Sequence, residues 1–370
     1  MRARGAVLRE MGLEKPYAQT RPLAIEELEL DPPGRGELLV RVRAAGLCHS
    51  DLSVIDGSRP RVMPMVLGHE AAGEVVETGP DTAGFAAGDH VVLAFVPSCG
   101  DCIPCLSGRA ALCEPGAAAN TAGTLLSGER RWHGGFHHHL GVSAFADHIV
   151  VSAQSAVRVD SHLPFEVAAL FGCAVLTGVG AATNSAQVTP DDRVAIFGLG
   201  GVGLAALLGA VLSAAGTVVA IDLVPEKLEL ARELGATHVV RAGDDAVAQV
   251  REATGGGADK AIETVGSARV LADAYAATRR GGTTVTVGLP HPEQMLSIPA
   301  VSLVAEERVL KGSYLGSCVP KRDIPRFIEM HQAGRLPVDR LLTHRLALDE
   351  LNEGFDRLAA GHGVRQAVIF

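Results

Sequence analysis

Four of the seven cysteines lie within fifteen residues, in the segment CGDCIPCLSGRAALC at positions 99–113. The spacing C-x2-C-x2-C-x7-C lets four thiolates, from Cys99, Cys102, Cys105 and Cys113, converge on one tetrahedral ion. Four cysteine ligands leave no position for a substrate, so this set predicts a structural zinc site that takes no part in catalysis. An iron–sulfur cluster, with the related pattern C-x2-C-x2-C-x3-C-P, and a disulfide pair are the alternatives. The seven-residue last gap counts against the cluster, and a reducing compartment counts against the disulfide.

Catalysis therefore needs other residues, and three cysteines remain: Cys48 in GLCHSD, Cys173 in FGCAVLTG, and Cys318. The segment LGHEAAG adds an imidazole, His69. Two thiolates and one imidazole would hold a zinc ion whose fourth position stays open to water or substrate. Spacing alone leaves this assembly open, because a single cysteine in an apolar run is more often a small buried hydrophobic residue.

A glycine-rich turn predicts a dinucleotide site. FGLGGVGLAA contains G-x-G-x-x-G at Gly198, Gly200 and Gly203, after the strand-like run RVAIFG and at the start of an apolar helix. These glycines permit a tight turn, close approach of a pyrophosphate, and close packing of strand on helix. Asp222 ends the next strand-like run, where a carboxylate can accept hydrogen bonds from both ribose hydroxyls and would repel a 2′-phosphate. The pattern favours NAD over NADP; a glycine-rich packing segment without a ligand is the alternative.

The elements that must position these residues change character along the chain. The first third has short β-branched runs separated by Gly, Pro and Asp, which predict a mostly antiparallel β unit. From about residue 190, strands and helices alternate, which predicts βαβ units around a parallel sheet. The predicted strands are 37–46, 71–79, 88–97, 193–198, 217–222, 237–240, 258–266 and 281–290, with a helix at 225–236. The tail is predicted to contain two amphipathic helices and a final strand, QAVIF.

Length and charge exclude several classes of protein. A chain of 370 residues predicts two domains. The net charge of −9 offers no basic surface for nucleic acid, and one Trp and three Tyr offer no platform for stacking bases. No apolar run approaches the ~20 residues of a membrane span, and the N-terminus does not have the pattern of a secretory signal. We therefore expect a cytoplasmic protein that binds neither nucleic acid nor membrane.

Together these motifs resemble the zinc-dependent medium-chain alcohol dehydrogenases, over essentially the whole chain. GLCHSD, GHEAAGEVVETG, the four-cysteine loop, GC-x3-TG, GLGGVGL and the strand ending at Asp222 occur in that family's order, and the CH-[ST]-D motif is shared with its class III branch. The resemblance implies an α/β fold: a GroES-like, mostly β catalytic domain (1–177 and 318–370) and a doubly wound parallel-sheet Rossmann domain that binds NAD (178–317). It also implies an active site in the cleft bordered by Cys173 and Thr177, and a homodimer paired through edge strands of the cofactor domain.

The resemblance also implies roles for individual residues. Cys48, His69 and Cys173 match the ligands of a catalytic zinc, the second of two Zn²⁺ per chain. Asp51 matches the carboxylate that orients the ligand histidine, Glu70 the acidic residue beside it, and Ser50 the hydroxyl that contacts the substrate oxygen. Phe95 and His139 match walls of the substrate pocket. The residues matching cofactor contacts are His49, Thr177, Gly198, Gly200, Gly201, Val202, Gly203, Asp222, Lys227, Val287 and Arg365, the last pairing with the pyrophosphate.

The implied activity is the reversible oxidation of a small alcohol to an aldehyde or ketone, with hydride transfer to NAD. One alternative is a thiol-dependent formaldehyde dehydrogenase, and a non-enzyme alternative is an NAD- and zinc-binding regulatory protein. Two departures from the family pattern bear on this. Ser53 stands where many members have a histidine that ends a proton relay, and Ala117 stands near the place of an arginine that binds glutathione in the class III branch. The run HHH at 137–139 predicts solvent or pocket residues rather than a metal site.

Overall fold

The computed structural model describes all residues from 1 to 370. Its strands are β1 (Arg2–Leu8), β2 (Leu23–Glu29), β3 (Glu37–Gly46), β4 (Met65–Val66), β5 (Ala71–Thr78), β6 (His90–Leu93), β7 (His137–His138), β8 (His148–Ser152), β9 (Ala156–Arg158), β10 (Arg193–Phe197), β11 (Thr217–Asp222), β12 (His238–Arg241), β13 (Ala258–Glu263), β14 (Thr278–Thr286), β15 (Val309–Gly312), β16 (Leu342–Leu346) and β17 (Arg365–Ile369).

The α-helices are α1 (Tyr17–Thr20), α2 (His49–Ile55), α3 (Ile103–Leu106), α4 (Glu114–Ala122), α5 (Phe165–Leu170), α6 (Ala174–Gly180), α7 (Gly201–Leu212), α8 (Pro225–Glu233), α9 (Ala246–Ala253), α10 (Ala268–Ala277), α11 (Ala300–Ala305), α12 (Pro320–Gln332) and α13 (Leu351–Ala359). A π-helical segment, Ala181–Ser185, follows α6. Short 3-10 helices cover Ala110–Leu112, His133–Gly135, Leu315–Ser317, Val338–Leu341 and Leu348–Glu350. No helix is both long and apolar enough to cross a membrane.

The first compact unit comprises residues 1–173, 319–328 and 342–370. It contains a seven-stranded sheet in the order β16-β17-β3-β5-β6-β9, with β8 paired to β3, and a four-stranded sheet in the order β2-β1-β4-β7. Pairing is antiparallel except between β16 and β17 and between β4 and β7. The predicted antiparallel β unit is thus confirmed, and one hydrophobic core runs from Ala3 to Val368.

Helix α13 shows how the sequence pattern produces this packing. Leu351, Phe355 and Leu358 recur at helical spacing and are buried in the first unit's core. The side chain of Asp356, on the same helix, accepts hydrogen bonds from the backbone N–H groups of Tyr17 and Ala18 at 2.7 and 2.8 Å. The C-terminal segment is therefore fixed to the N-terminal segment of the chain.

The second compact unit comprises residues 174–318 and 329–341. Its six-stranded sheet has the order β12-β11-β10-β13-β14-β15. Every pair in it is parallel, with registers such as Val194 beside Val218 and Ile196 beside Ile262. This is the doubly wound sheet that the alternation of strands and helices predicts, with the change of strand order at β10.

The observed division of the chain differs in detail from the predicted boundaries at 177/178 and 317/318. Residues 174–177 group with the second unit because α6 packs closely on α7: a Cβ added at Gly178 would collide with the carbonyl oxygen of Val202 and the side chain of Ala205. Cys318 groups with the second unit too, its sulfur 3.4 Å from the carbonyl oxygen of Leu176. Residues 329–341 also belong to the second unit, so the division falls within α12.

Candidate active site and metal centres

Three sheet contacts in the first unit assemble residues that are far apart in sequence. Strands β3 and β5 are antiparallel, with Ala45 opposite Ala71, and the N–H of Gly46 donates to the carbonyl oxygen of Glu70 at 2.8 Å. The end of β3, which leads to Cys48, therefore lies beside the start of β5, which His69 and Glu70 precede. Strand β17 pairs with β3 on its other side, Ala367 opposite Gly46, and this brings in the C-terminal segment.

The parallel pair β4 and β7 completes the group. Both strands run toward the site, with Val66 opposite His138, so the residues just beyond them, His69 and His139, emerge side by side. Their rings meet edge to face, with centroids 5.4 Å apart. The ring of Phe95 also packs edge to face on His69 at 5.4 Å. The two residues predicted to line the substrate pocket thus both contact the predicted ligand histidine.

The predicted ligands of the catalytic zinc converge. The ligand atoms of Cys48, His69 and Cys173 all lie within 4.8 Å of one another, and all three residues are buried. Nε2 of His69 is buried and has no hydrogen-bond partner, which is costly for a ring nitrogen unless something binds it. A hydrogen bond with the Cys173 thiol holds the pKa of Cys48 well below its usual value, although burial opposes this. Two thiols and an unpartnered imidazole nitrogen are a donor set that fits zinc.

Asp51 holds this group in place from behind. Its Oδ1 lies 2.9 Å from Nδ1 of His69, and its Oδ2 accepts the backbone N–H of Cys48 at 3.1 Å. Cys48 caps the N-terminus of α2 and Asp51 lies in the first turn, so one short helix presents both residues. A carboxylate on Nδ1 leaves Nε2 of His69 as the ligand atom and fixes the orientation of the ring.

Glu70 and Arg365 form a buried ion pair next to these ligands, although they are 295 residues apart in sequence. Gly46 permits it, because a Cβ at that position would collide with the Glu70 carboxylate. Burial raises the pKa of Glu70 to about 7, against the opposing charge of Arg365. Arg365 was predicted to pair with cofactor pyrophosphate; here its guanidinium contacts Glu70 and the residue is 4% exposed.

The four clustered cysteines form a separate group in the first unit. The sulfurs of Cys99, Cys102, Cys105 and Cys113 lie within 4.8 Å of one another, and none of the four is in a disulfide. Backbone N–H groups point at the sulfurs: that of Cys99 donates to Cys113 Sγ at 3.2 Å, and that of Cys102 to Cys99 Sγ at 3.4 Å. The N–H of Cys105 is the main cause of the lowered pKa of Cys102, about 7. Burial raises the pKa of Cys105, to about 12, and that of Cys113, so these contacts favour the thiolate at Cys102 alone. The thiolate is the form in which cysteine binds a metal ion.

In the second unit, the glycine-rich turn has the geometry that its sequence predicts. Gly198 has φ +92°, and a Cβ at Gly203 would collide with the carbonyl oxygen of Gly198, so strand β10 and helix α7 approach closely only through glycine. Gly201 and Val202 form the first turn of α7, and Gly200 caps it. A Cβ at Gly200 would meet nothing within 4 Å, so the backbone there borders open space at a helix N-terminus, where an anion binds well.

Of the other predicted cofactor residues, two lie at the carboxyl ends of strands of the six-stranded sheet and three lie in helices. Asp222 ends β11 and accepts N–H groups of Leu199 at 2.6 Å and Val224 at 2.9 Å, which ties it to the glycine-rich turn. Val287 follows β14, and its N–H donates to Glu263 at the end of β13. Lys227 lies in α8, Thr177 in α6, and His49 begins α2 in the first unit.

Comparisons with known proteins agree with this architecture. A family model described as alcohol dehydrogenase GroES-like domain matches residues 34–161, and one described as zinc-binding dehydrogenase matches residues 201–333. An NDMA-dependent alcohol dehydrogenase from Amycolatopsis methanolica is 39% identical over 100% of this chain and 99% of its own length. The chain belongs to the zinc-dependent medium-chain alcohol dehydrogenases.

Other members of this dehydrogenase family support the same conclusion. An S-(hydroxymethyl)glutathione dehydrogenase from Escherichia coli is 35% identical, over 96% of this chain and 98% of its own. Among solved structures, benzyl alcohol dehydrogenase from Acinetobacter calcoaceticus aligns with a TM-score of 0.93 at 32% identity, over 100% of this chain and 99% of that chain. The chain is thus a zinc-dependent alcohol oxidoreductase that uses NAD(H), and the comparisons give no support to the regulatory-protein alternative.

Two features of this dehydrogenase site were missed by the sequence. Nδ1 of His139 lies 3.2 Å from Oδ1 of Asp51, outside hydrogen-bond geometry, so a second histidine ring faces the carboxylate that His69 contacts. His138, its neighbour, points elsewhere: its Nε2 accepts the N–H of Arg131 at 3.1 Å. The HHH run was the only sequence signal for these contacts. Because successive side chains of a strand point to opposite faces, it could have indicated that His138 and His139 face different surroundings. Ser53, in the place of the relay histidine, donates its hydroxyl to the carbonyl oxygen of His49 at 2.8 Å, so that donor stays within the helix.

Proposed function

We propose that this enzyme oxidises an alcohol reversibly to an aldehyde or ketone at an open zinc site held by Cys48, His69 and Cys173, with NAD as hydride acceptor. The observation that supports this most directly is the convergence of the three ligand atoms within 4.8 Å around the unpartnered Nε2 of His69. When bound, zinc lowers the pKa of a hydroxyl group and polarises a carbonyl, and NAD carries the hydride.

The chain's own residues supply position and proton handling. We propose that Ser50, in the first turn of α2 and partly exposed, contacts the substrate oxygen, accepts its proton and passes its own hydroxyl proton on to the cofactor ribose or to water. We propose that Nδ1 of His69 donates to Asp51, which orients the ring so that Nε2 faces the zinc position. Phe95 and His139 form the wall against His69, and the side-chain amide of Asn120 donates to the Phe95 carbonyl oxygen at 2.8 Å, which fixes that wall.

For the cofactor, we propose that the pyrophosphate lies on the turn Gly198–Gly203 and that Asp222 accepts the adenosine ribose hydroxyls. Lys227 is proposed to lie near that ribose, and Thr177 and Val287 near the nicotinamide. His49 and Arg365 are proposed to contact cofactor phosphates. We also propose a second, structural zinc ion on the four clustered cysteines, and a cytoplasmic location, where thiols remain reduced.

We further propose a homodimer formed through β15. This strand ends the six-stranded sheet and pairs only with β14, so its outer edge offers unpaired backbone groups. Val309 on β15 is exposed, as are Val301 and Val304 on the preceding helix α11. Sedimentation of the parent as a dimer, and of a Val301→Asp/Val304→Asp variant as a monomer, would support this; a monomeric parent would refute it.

The decisive test measures turnover and metal content together. Purified enzyme is assayed for NADH formation with primary, secondary and aromatic alcohols, with and without NDMA, the compound on which the Amycolatopsis relative depends by its name. We expect two zinc ions per chain in the parent, one in Cys173→Ser, and turnover only in the parent. Full activity of Cys173→Ser, or one zinc in the parent, would refute the assignment.

The alternative substrate class is a thiol–formaldehyde adduct, favoured by the Escherichia coli relative's name. It predicts that simple alcohols are poor substrates and that formaldehyde is oxidised only with an added thiol. The same assay therefore includes formaldehyde with glutathione and with other small thiols. Turnover of simple alcohols that exceeds turnover of every adduct would exclude this alternative.

A further inference from the structure

Glu263 is the last residue of β13, at the carboxyl end of the six-stranded sheet. In the parallel registers it lies opposite Phe197, the last residue of β10, and opposite Thr286, the last residue of β14. Strand β10 leads into the glycine-rich turn, and β14 leads to Val287. Glu263 therefore lies between the segment proposed to bind the pyrophosphate and the segment proposed to border the nicotinamide.

The carboxylate of Glu263 is buried and fully engaged, the residue being 1% exposed. Its Oε1 accepts the backbone N–H groups of Val265 and Gly266 at 2.7 and 2.6 Å, and its Oε2 accepts the hydroxyl of Thr286 at 2.6 Å. These partners are uncharged, whereas Asp259, near the other end of β13, pairs with two arginines. Burying a carboxylate is costly unless hydrogen bonds satisfy it, and a satisfied buried network also fixes the segments that donate to it.

The segment after β13, which supplies two of these donors, packs on the glycine-rich turn. The hydroxyl of Thr264 donates to the carbonyl oxygen of Gly198 at 2.9 Å. A Cβ on Gly198 would lie 2.6 Å from Cγ2 of Val265, a residue that is 54% exposed. The carboxylate of Glu263 thus fixes a segment that borders the proposed pyrophosphate site.

The segment after β14 meets Glu263 from the other side. The N–H of Val287 donates to the backbone carbonyl oxygen of Glu263 at 2.9 Å. A Cβ on Gly288 would collide with the backbone nitrogen of Gly266 and would lie 3.0 Å from Oε2 of Glu263, so glycine permits this close approach. The two segments therefore touch each other at Glu263, and its carboxylate accepts hydrogen bonds from both strand ends.

We propose that Glu263 is a positioning residue for the cofactor, which holds segments 264–266 and 286–288 in the arrangement that binds NAD. It acts through Val265 on the pyrophosphate side and through Val287 on the nicotinamide side. The inference rests on the proposed function, since it concerns the same cofactor site. Without an acceptor at position 263, the segments adopt other arrangements, and the apparent affinity for NAD falls with the fraction of molecules in the binding arrangement.

The test measures by calorimetry the affinities for NAD and for ADP-ribose, which lacks the nicotinamide. Glu263→Met removes the acceptors, and we expect about 10- to 100-fold weaker binding of NAD. Glu263→Gln should retain the parental affinity, because its amide oxygen can accept both N–H groups while its NH₂ donates to the hydroxyl oxygen of Thr286. Thr286→Val removes only the contact with segment 286–288. It should weaken NAD by about 3- to 10-fold and leave ADP-ribose binding unchanged.

Asp259→Asn is the matched control, because it converts a carboxylate to an amide near the opposite end of the same strand. It should lower stability and leave both affinities unchanged. Parental NAD affinity in folded Glu263→Met, or equally weak binding in Glu263→Gln and Glu263→Met, would overturn the positioning role. If Glu263→Met does not fold, parental NAD affinity in Thr286→Val would overturn it. The expected affinities without turnover of any alcohol would instead refute the dehydrogenase proposal and keep the role of Glu263.

Discussion

Replacing Asp51 with Asn should weaken zinc binding at the Cys48–His69–Cys173 site without changing the shape of the side chain. Both carboxylate oxygens of Asp51 face hydrogen-bond donors, Nδ1 of His69 at 2.9 Å and the N–H of Cys48 at 3.1 Å. An amide has only one acceptor oxygen, so one of these contacts must be lost and an N–H must face another N–H. The residue is 0% exposed, so water cannot replace the lost contact.

The expected magnitude follows from that geometry. Leaving one buried donor unsatisfied costs about 1–3 kcal/mol, which corresponds to roughly 5- to 150-fold weaker zinc binding if the cost falls on the bound state. Loss of a carboxylate partner to a ligand histidine typically costs ~10- to 100-fold in metal affinity, in the same range. The four-cysteine site is an internal reference, because Asp51 makes no contact with it and its affinity should not change.

The assay is a titration of the zinc-loaded enzyme with a chromophoric chelator, which should remove zinc in two phases. The Cys173→Ser variant identifies the phase that belongs to the Cys48 site. Asp56→Asn is the matched control, since Asp56 follows the same helix α2, is exposed, and accepts only the N–H of Ser58 at 2.8 Å. If the same chelator concentration removes half of this zinc from the parent and from Asp51→Asn, the orienting role of Asp51 is refuted. Thermal unfolding of both proteins checks that both are folded.

Four further predictions concern the second unit. Gly203→Ala should lower the free energy of unfolding by about 1–3 kcal/mol, because its Cβ collides with Gly198. Gly200 has φ −72°, so Gly200→Ala should fold like the parent and yet bind NAD more weakly. Unchanged NAD affinity in calorimetry would contradict the proposed phosphate turn. Asp222→Ser should lower the ratio of kcat/KM for NAD to that for NADP by about 10-fold or more; an unchanged ratio would exclude the ribose contact. Burial raises the pKa of Asp259, but hydrogen bonds and charge from two arginines outweigh burial and lower this pKa from 3.8 to about 2. Because the folded-state pKa is the lower one, this carboxylate contributes about 2 kcal/mol of stability above pH 3.8, lost as the pH falls to about 2. Asp259→Asn should therefore destabilise the enzyme at pH 7 and by progressively less below pH 4 in denaturant titrations, and equal destabilisation at every pH would contradict this reason.

Local spacing in the sequence was enough to predict the parts of the structure whose residues lie close together along the chain. The cysteine cluster spans fifteen residues, so short loops alone bring its sulfurs together. The turn Gly198–Gly203 and Asp222 belong to one strand–helix–strand unit, whose connections leave few alternatives. The alternation of β-branched strands and amphipathic helices in the second half likewise predicted the parallel sheet, because the central strands β10, β11 and β13 are buried on both faces.

The open zinc site is different, since its ligands come from segments that spacing alone could not connect. The sequence identified Cys48, His69 and Cys173 through the order of family motifs, whereas the register of β3 with β5 decides that Cys48 and His69 meet. Cys173 joins them because Gly172 lets its segment pass close to the carbonyl oxygen of Leu93 at the end of β6. Strand pairing also decides what no local pattern could: the pair β4 and β7 places His139 beside His69 and Asp51, and the pair β17 and β3 places Arg365 beside Glu70. Contacts between distant segments depend on strand pairing and burial over the whole unit. The sequence determined which groups can do chemistry, and the tertiary structure decided which of them are neighbours.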